Sequence, residues 1–104
     1  MMEINSMAII ASAGNAKNFA LEALSAMKAG NEKTYNKKIK LANNEIRTAH
    51  RKHAELLRQL SSEDNLDIIN LLVVHAEDHL ASVDVLVLII KEFSELFRER
   101  SANG

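Results

Sequence analysis

The stretch Leu71-Leu-Val-Val-His-Ala-Glu-Asp-His-Leu-Ala-Ser-Val-Asp-Val-Leu-Val-Leu-Ile-Ile90 decides how this chain folds. It is largely aliphatic, yet His75, Glu77, Asp78 and His79 are set into it. Charge buried without a partner among Leu and Val is costly, so these four side chains need a physical account.

Projected at about 100° per residue, the segment shows two apolar stripes. One is Ile69, Val73, Ala76, Leu80, Val83, Val87 and Ile90. Nearly opposite runs a second seam of Leu71, Val74, Asp78, Ala81, Val85, Leu88 and Glu92, with steps of three and four throughout. A helix that is apolar on both sides is buried on both sides. Two partner helices from one short chain cannot cover both. The first stripe is therefore expected to face the rest of the chain, and the second to pack against copies of itself about a symmetry axis.

The polar residues divide along the same lines. Asp78 lies within the second seam, where copies of one carboxylate would face each other. Either protons or a bound cation must then offset the repulsion, or the carboxylate bonds to a neighbouring side chain. His75, His79 and Ser82 lie on the flank of that seam, and the two histidines stand at i, i+4 on one helix face. Spacing alone leaves three readings open. The histidines could ligate a transition metal, they could be structural, or one could be a nucleophile whose ring its neighbours orient.

Working outward, the helix that holds this stretch is predicted over about residues 66 to 100. A short end, Ser101-Ala-Asn-Gly104, follows the charged Arg98-Glu-Arg100. The polar break before it, Ser61-Ser-Glu-Asp-Asn65, offers Ser62 or Asn65 as N-cap. Asp64 and Asp67 would favour the positive end of the helix dipole. A second helix is predicted over about 32 to 60. There Tyr35, Ile39, Ala42, Ile46, Ala49, His53, Leu56 and Leu60 form a heptad seam. Lys37, Lys38, Lys40, Arg47, Arg51 and Lys52 occupy its other faces, and the basic run from Lys33 to Lys40 reads as a solvated face.

A first helix is predicted over about 4 to 29, with apolar recurrence at Ile10, Ala13, Ala20, Leu21, Leu24 and Met27. Its small stretch, Ala11-Ser-Ala-Gly-Asn-Ala16, would let another helix approach closely. Gly30 is placed to stop this helix and Asn31 to cap the next, a short turn that makes the two antiparallel neighbours. The chain thus reads as all-α: one domain over 1–104, an antiparallel three-helix hairpin of spectrin-repeat-like form.

Bulk properties agree. In 104 residues there are 47% hydrophobic residues, no proline and three glycines, which favours long helices around a core. Thirteen basic and fourteen acidic residues give a net charge of −1, with no nucleic-acid footprint. There is no cysteine, which excludes disulfides, thiol nucleophiles and Cys-type zinc sites. The N-terminus lacks signal-peptide character, and the apolar run from Val85 to Ile90 is too short to span a bilayer. A cytoplasmic location is the expectation.

Val74-His-Ala-Glu-Asp-His-Leu80, on the third helix of a small all-α chain, resembles the signature of the lactose/cellobiose-type IIA components of the sugar phosphotransferase system. Ile9-Ile-Ala-Ser-Ala-Gly-Asn-Ala-Lys17, Glu22-Ala-Leu24, the Gly30-Asn31 turn and the Ala49-His50 pair extend the likeness over nearly the whole chain. The resemblance implies a homotrimer forming a nine-helix bundle. It implies that His75 accepts a phosphoryl group from the phosphocarrier HPr and passes it to the cysteine of a IIB component. That relay would serve uptake of a lactose- or cellobiose/chitobiose-type disaccharide. Asp78 matches a carboxylate on the trimer axis that can hold a divalent metal, typically magnesium, and His79 matches a second histidine with an orienting role. Neither nucleic-acid binding nor membrane insertion is implied.

The chain departs from the family pattern at several places. Helix two of the family often reads Ala-His-x-x-Gln-Thr, where this chain has Ala49-His-Arg-Lys-His-Ala54. Glu77 stands where Gln is frequent, and Ala81 where Met is frequent. A carboxylate at Glu77 would repel a phosphoryl group unless it points elsewhere. His53 reads either as a satisfied core histidine or as a neighbour of the site. Two further readings stand beside the relay: a non-catalytic helical oligomer derived from such a component, regulatory or metal-binding, and a zinc site at His75 and His79.

Overall fold

The structure, a computed structural model, describes residues 2–62 and 71–103. These form three helices, α1 (Met2–Lys28), α2 (Glu32–Ser62) and α3 (Leu71–Asn103), with no strand among the described residues. The molecule is a rod of 60 × 18 × 17 Å. The expected start of the third helix near Leu66, its capping by Asn65, the dipole role of Asp64 and Asp67, and the placement of Ile69 fall outside the described residues. Ser61 and Ser62, read as part of the break, instead complete α2, where the Ser62 hydroxyl donates to the Gln59 carbonyl.

The turn between α1 and α2 forms as its residues dictate. Gly30 adopts φ 77°, a left-handed conformation that side chains disfavour. The Asn31 amide donates to the Ala26 carbonyl at 2.8 Å and the Gly30 amide to Met27 at 3.0 Å. This pairing closes the helix end in a Schellman arrangement. The Asn31 side-chain oxygen then accepts from the Thr34 amide at 3.0 Å and caps α2.

Of the three helices, α1 packs closely on both others, while the backbones of α2 and α3 stay further apart. Its inner face explains this. Ala13, Ala16, Ala20 and Ala23 are fully buried and keep its radius small enough for two close neighbours. Ser12 is buried beside them. Gly14, by contrast, is not what permits the approach, since a Cβ there would meet nothing within 4 Å. The centre of the α1 face also lies at Ile9, which is wholly buried, rather than at Ile10, which is half-buried. Two adjacent isoleucines are both compatible with helical spacing, and only packing chooses between them.

On α2 the heptad seam is the buried face: Tyr35, Ala42, Ala49, Leu56 and Leu60 are inside, with Ile39 and Ile46 packed at its edge. On α3 the first stripe is buried from end to end, at Val73, Ala76, Leu80, Val83, Val87 and Ile90. The core falls into two clusters. One joins Ala13, Ala20, Tyr35, Ala42, Val83 and Ile90, and the other joins Ile9, Ala49, Leu56, Val73 and Leu80. The second seam of α3 lies on the outside of the single chain. Leu71 is 84% exposed, Val85 56% and Leu88 60%.

Candidate histidine site on α3

The polar residues of α3 leave the helix on two flanks. His75 and Glu77 are only two positions apart, which places them about 200° apart around an α-helix. On one flank, His75 is exposed and His79 half-buried, and their rings meet edge to face with centroids 4.5 Å apart. Neither makes a hydrogen bond or ion pair among the described residues. An open cleft of about 310 Å³ runs beside them, lined by Lys17 of α1 and by His75, Asp78, His79, Ser82, Val83 and Leu86 of α3. A second cleft of about 450 Å³, lined by Leu71, Leu72, Val74, His75 and Asp78, lies on the other side. His75 and Asp78 therefore form the ridge between two depressions. The first is polar at its rim and the second is mostly apolar.

The ring contact restricts how His75 can turn, because an edge-to-face pair has a preferred geometry. His75 thus presents an exposed imidazole that no carboxylate of the described residues engages. Such a ring can act as a nucleophile or a ligand. Asp78 is exposed on the second seam, and no group of three or more potential metal ligands exists among the described residues of one chain. A cation at Asp78 would need carboxylates from other copies.

On the opposite flank, α3 is clasped to α2. The His53 ring nitrogen lies 3.3 Å from the Glu77 carboxylate, and the His50 ring nitrogen 3.0 Å from that of Asp84. The antiparallel run of α2 and α3 sets this register: residues 50 and 53 meet 84 and 77 in reverse order. This answers the expectation about Glu77, whose carboxylate is turned to α2 and not toward His75. His53 is half-buried and bonded to Glu77, so it is neither sealed in the core nor part of the cleft beside His75.

Sequence reasoning missed Lys17 as a neighbour of His75, as well as both histidine–carboxylate pairs. The available signal was charge on the predicted flanks: Glu77 and Asp84 share a face seven residues apart, as do His50 and His53 at three. The basic run on α2 is solvated over most of its length. Lys38 is an exception, paired with Glu22 at 2.8 Å and placed over the Phe19 ring.

Fold and site together define a three-helix hairpin with an unpartnered histidine pair on its last helix. The family described as "PTS system, Lactose/Cellobiose specific IIA subunit" matches residues 4–98. The lichenan-specific phosphotransferase enzyme IIA component of Bacillus subtilis is 31% identical over 99 residues, covering 91% of this chain and 89% of that one. A lactose-specific EIIA component of Staphylococcus aureus is 32% identical over 90 residues, covering 86% of each. Among solved structures, the cellobiose-specific enzyme IIA of Bacillus anthracis superposes with a TM-score of 0.90 at 30% identity, covering 100% of this chain and 94% of that one. The chain belongs to the lactose/cellobiose-specific IIA family of the sugar phosphotransferase system. No helix among the described residues is long and apolar enough to cross a membrane.

Proposed function

We propose that this chain is a phosphocarrier in which His75 accepts a phosphoryl group from phospho-HPr and delivers it to the cysteine of a IIB component. The transfer would support uptake of a lactose- or cellobiose/chitobiose-type disaccharide on the cytoplasmic side of the membrane. The observation that carries this reading is His75 itself: exposed, without a carboxylate partner among the described residues, braced by the His79 ring at 4.5 Å, and at the histidine of the family motif.

In the transfer, the neutral His75 ring nitrogen attacks phosphorus as the donor's N–P bond breaks. The donor ring leaves with that electron pair and regains a proton, while the second nitrogen of His75 gives one up to solvent. Imidazole suits both directions, being a good nucleophile and a good leaving group from phosphorus. Little else is asked of the protein beyond alignment and charge stabilisation. His79 fixes the ring that reacts. Glu77 is kept from the reacting phosphoryl group by the turn of the helix, which directs it to His53 on α2.

The chain works as a homotrimer, with the exposed seam of Leu71, Val74, Ala81, Val85 and Leu88 inside a nine-helix bundle. That face, apolar and in coiled-coil register, is unsuited to water over its whole length. Three copies of Asp78 would converge on its axis, a set of hard oxygen ligands that fits magnesium. A cation there would neutralise like charges between subunits. Relatives of similar identity carry lichenan, oligo-β-mannoside, cellobiose and lactose designations, which supports a reading in which the partner components choose the sugar.

The test is incubation with phosphoenolpyruvate, enzyme I and HPr, followed by intact mass measurement. The expected result is one acid-labile phosphoryl group per chain, absent from His75→Ala. No gain in mass with an active donor system contradicts the proposal.

A further inference from the structure

The cleft beside His75 has one feature the relay reading leaves unused. Lys17, an exposed residue of α1, is its only cationic lining residue among the described residues apart from the histidines themselves. It makes no ion pair among the described residues, although Asp78 lines the same cleft. Some other cations on the rod are engaged, Lys38 with Glu22, Arg98 with Glu32 and over the Tyr35 ring, and Arg51 with Thr48, but of the described lysines and arginines only Lys17 lines the cleft that holds His75. Ser82 lines the same cleft, with Val83 and Leu86. An ammonium with no ion pair among the described residues, a hydroxyl and two imidazole rings thus line a depression open to solvent. Among the described residues its only anion is the Asp78 carboxylate.

We infer that Lys17 is the charge partner of the phosphoryl group on His75, its ammonium receiving the phosphoryl oxygens within this cleft. The inference rests on the phosphocarrier reading. A phosphoryl group on His75 brings about two negative charges close to Asp78, and a mobile lysine is the group on hand to offset them. Its long stem lets it follow the oxygens from the incoming donor to the bound product. Because Lys17 belongs to α1 and His75 to α3, the alignment depends on the close α1–α3 packing that the alanine face permits. Lys17 acts on charge and not on the nucleophile, so arginine should replace it and an isosteric neutral side chain should not.

The experiment measures the rate of phosphoryl uptake from phospho-HPr and the 31P shift of the phosphorylated chain for wild type, Lys17→Met, Lys17→Arg and Lys28→Met. Lys17→Met is expected to slow uptake roughly tenfold, at the low end for losing a stabilising cation because the site is open to water. It should also move the 31P resonance and flatten the salt dependence of the rate. Lys17→Arg should restore most of the rate, and Lys28→Met, an exposed lysine at the far end of α1, should leave it unchanged. Circular dichroism keeps a folding defect separate from these effects. Wild-type labelling with an unaffected Lys17→Met overturns this inference alone. A wild-type chain that takes up no phosphoryl group overturns the phosphocarrier reading and this inference together.

Discussion

The two flanks of α3 carry histidine contacts of opposite character. On one, His50 and His53 of α2 are each bonded to a carboxylate of α3, at 3.0 and 3.3 Å. On the other, the His75 and His79 rings meet edge to face and make no hydrogen bond or ion pair among the described residues, in a cleft that Lys17 also lines. A histidine whose ring N–H donates to a carboxylate has its orientation and tautomer fixed, and here that bond ties it to the neighbouring helix. One left exposed in a cleft keeps a nitrogen available for chemistry. The same helix thus uses one flank to fasten the hairpin and, in the proposed relay, the other to present the phosphoryl acceptor. Glu77 and His75, two residues apart in sequence, are assigned to different tasks by the turn of the helix.

That contrast can be broken in several places. The largest effect is expected at His75: His75→Ala should abolish phosphoryl uptake, while His50→Gln and His53→Gln should leave the chain able to take it up. Intact mass after incubation with the donor proteins distinguishes them, and loss of labelling in His50→Gln would erase the distinction between the flanks. Next come the two apolar faces beneath and beside the flanks. Leu80→Ala, in the buried stripe, should cost about 2–5 kcal/mol of folding stability in denaturant titration. Leu88→Ala, on the exposed seam, should change chain stability far less but weaken self-association in sedimentation.

Asp78→Leu sits between these effects. It replaces a charge in an apolar seam, and the oligomer should persist or tighten, as buried charges often yield to apolar residues without loss. Dissociation of that variant would mean that the carboxylate, with a bound cation, holds the assembly. The smallest effect belongs to the clasp. A double-mutant cycle of His53→Gln and Glu77→Gln should give a coupling of about 0.2–1 kcal/mol, in the range of partly exposed pairs. Because Glu77 leaves the helix about 200° from His75, neither variant should change the rate of phosphoryl uptake by more than a small factor.

Much of this architecture was legible in the sequence because it depends on angle around a helix. The Val73–Ile90 stripe, the exposed Leu71–Leu88 seam and the heptad of α2 all follow from spacing. The Gly30–Asn31 turn follows from the residues that make it. What spacing could not supply was the axial alignment of one helix on another. His53 looked like a core position because it fell on the α2 seam, but α2 and α3 are held apart by α1. At that distance a histidine reaches a carboxylate rather than filling a core. The same ignorance of register hid Lys17, which is remote from His75 in sequence and adjacent to it only once α1 and α3 are packed. The ring contact between His75 and His79 was accessible from i, i+4 spacing. Its lack of a carboxylate partner was not.

The most direct test of the central claim is localisation of the phosphoryl group. The chain would be phosphorylated through enzyme I and HPr, then fragmented under conditions that preserve phosphohistidine. The account predicts phosphate on His75 in wild type, and none on His50, His53 or His79. Phosphate on any of those three, or none on the chain while the donor system is active, would contradict it.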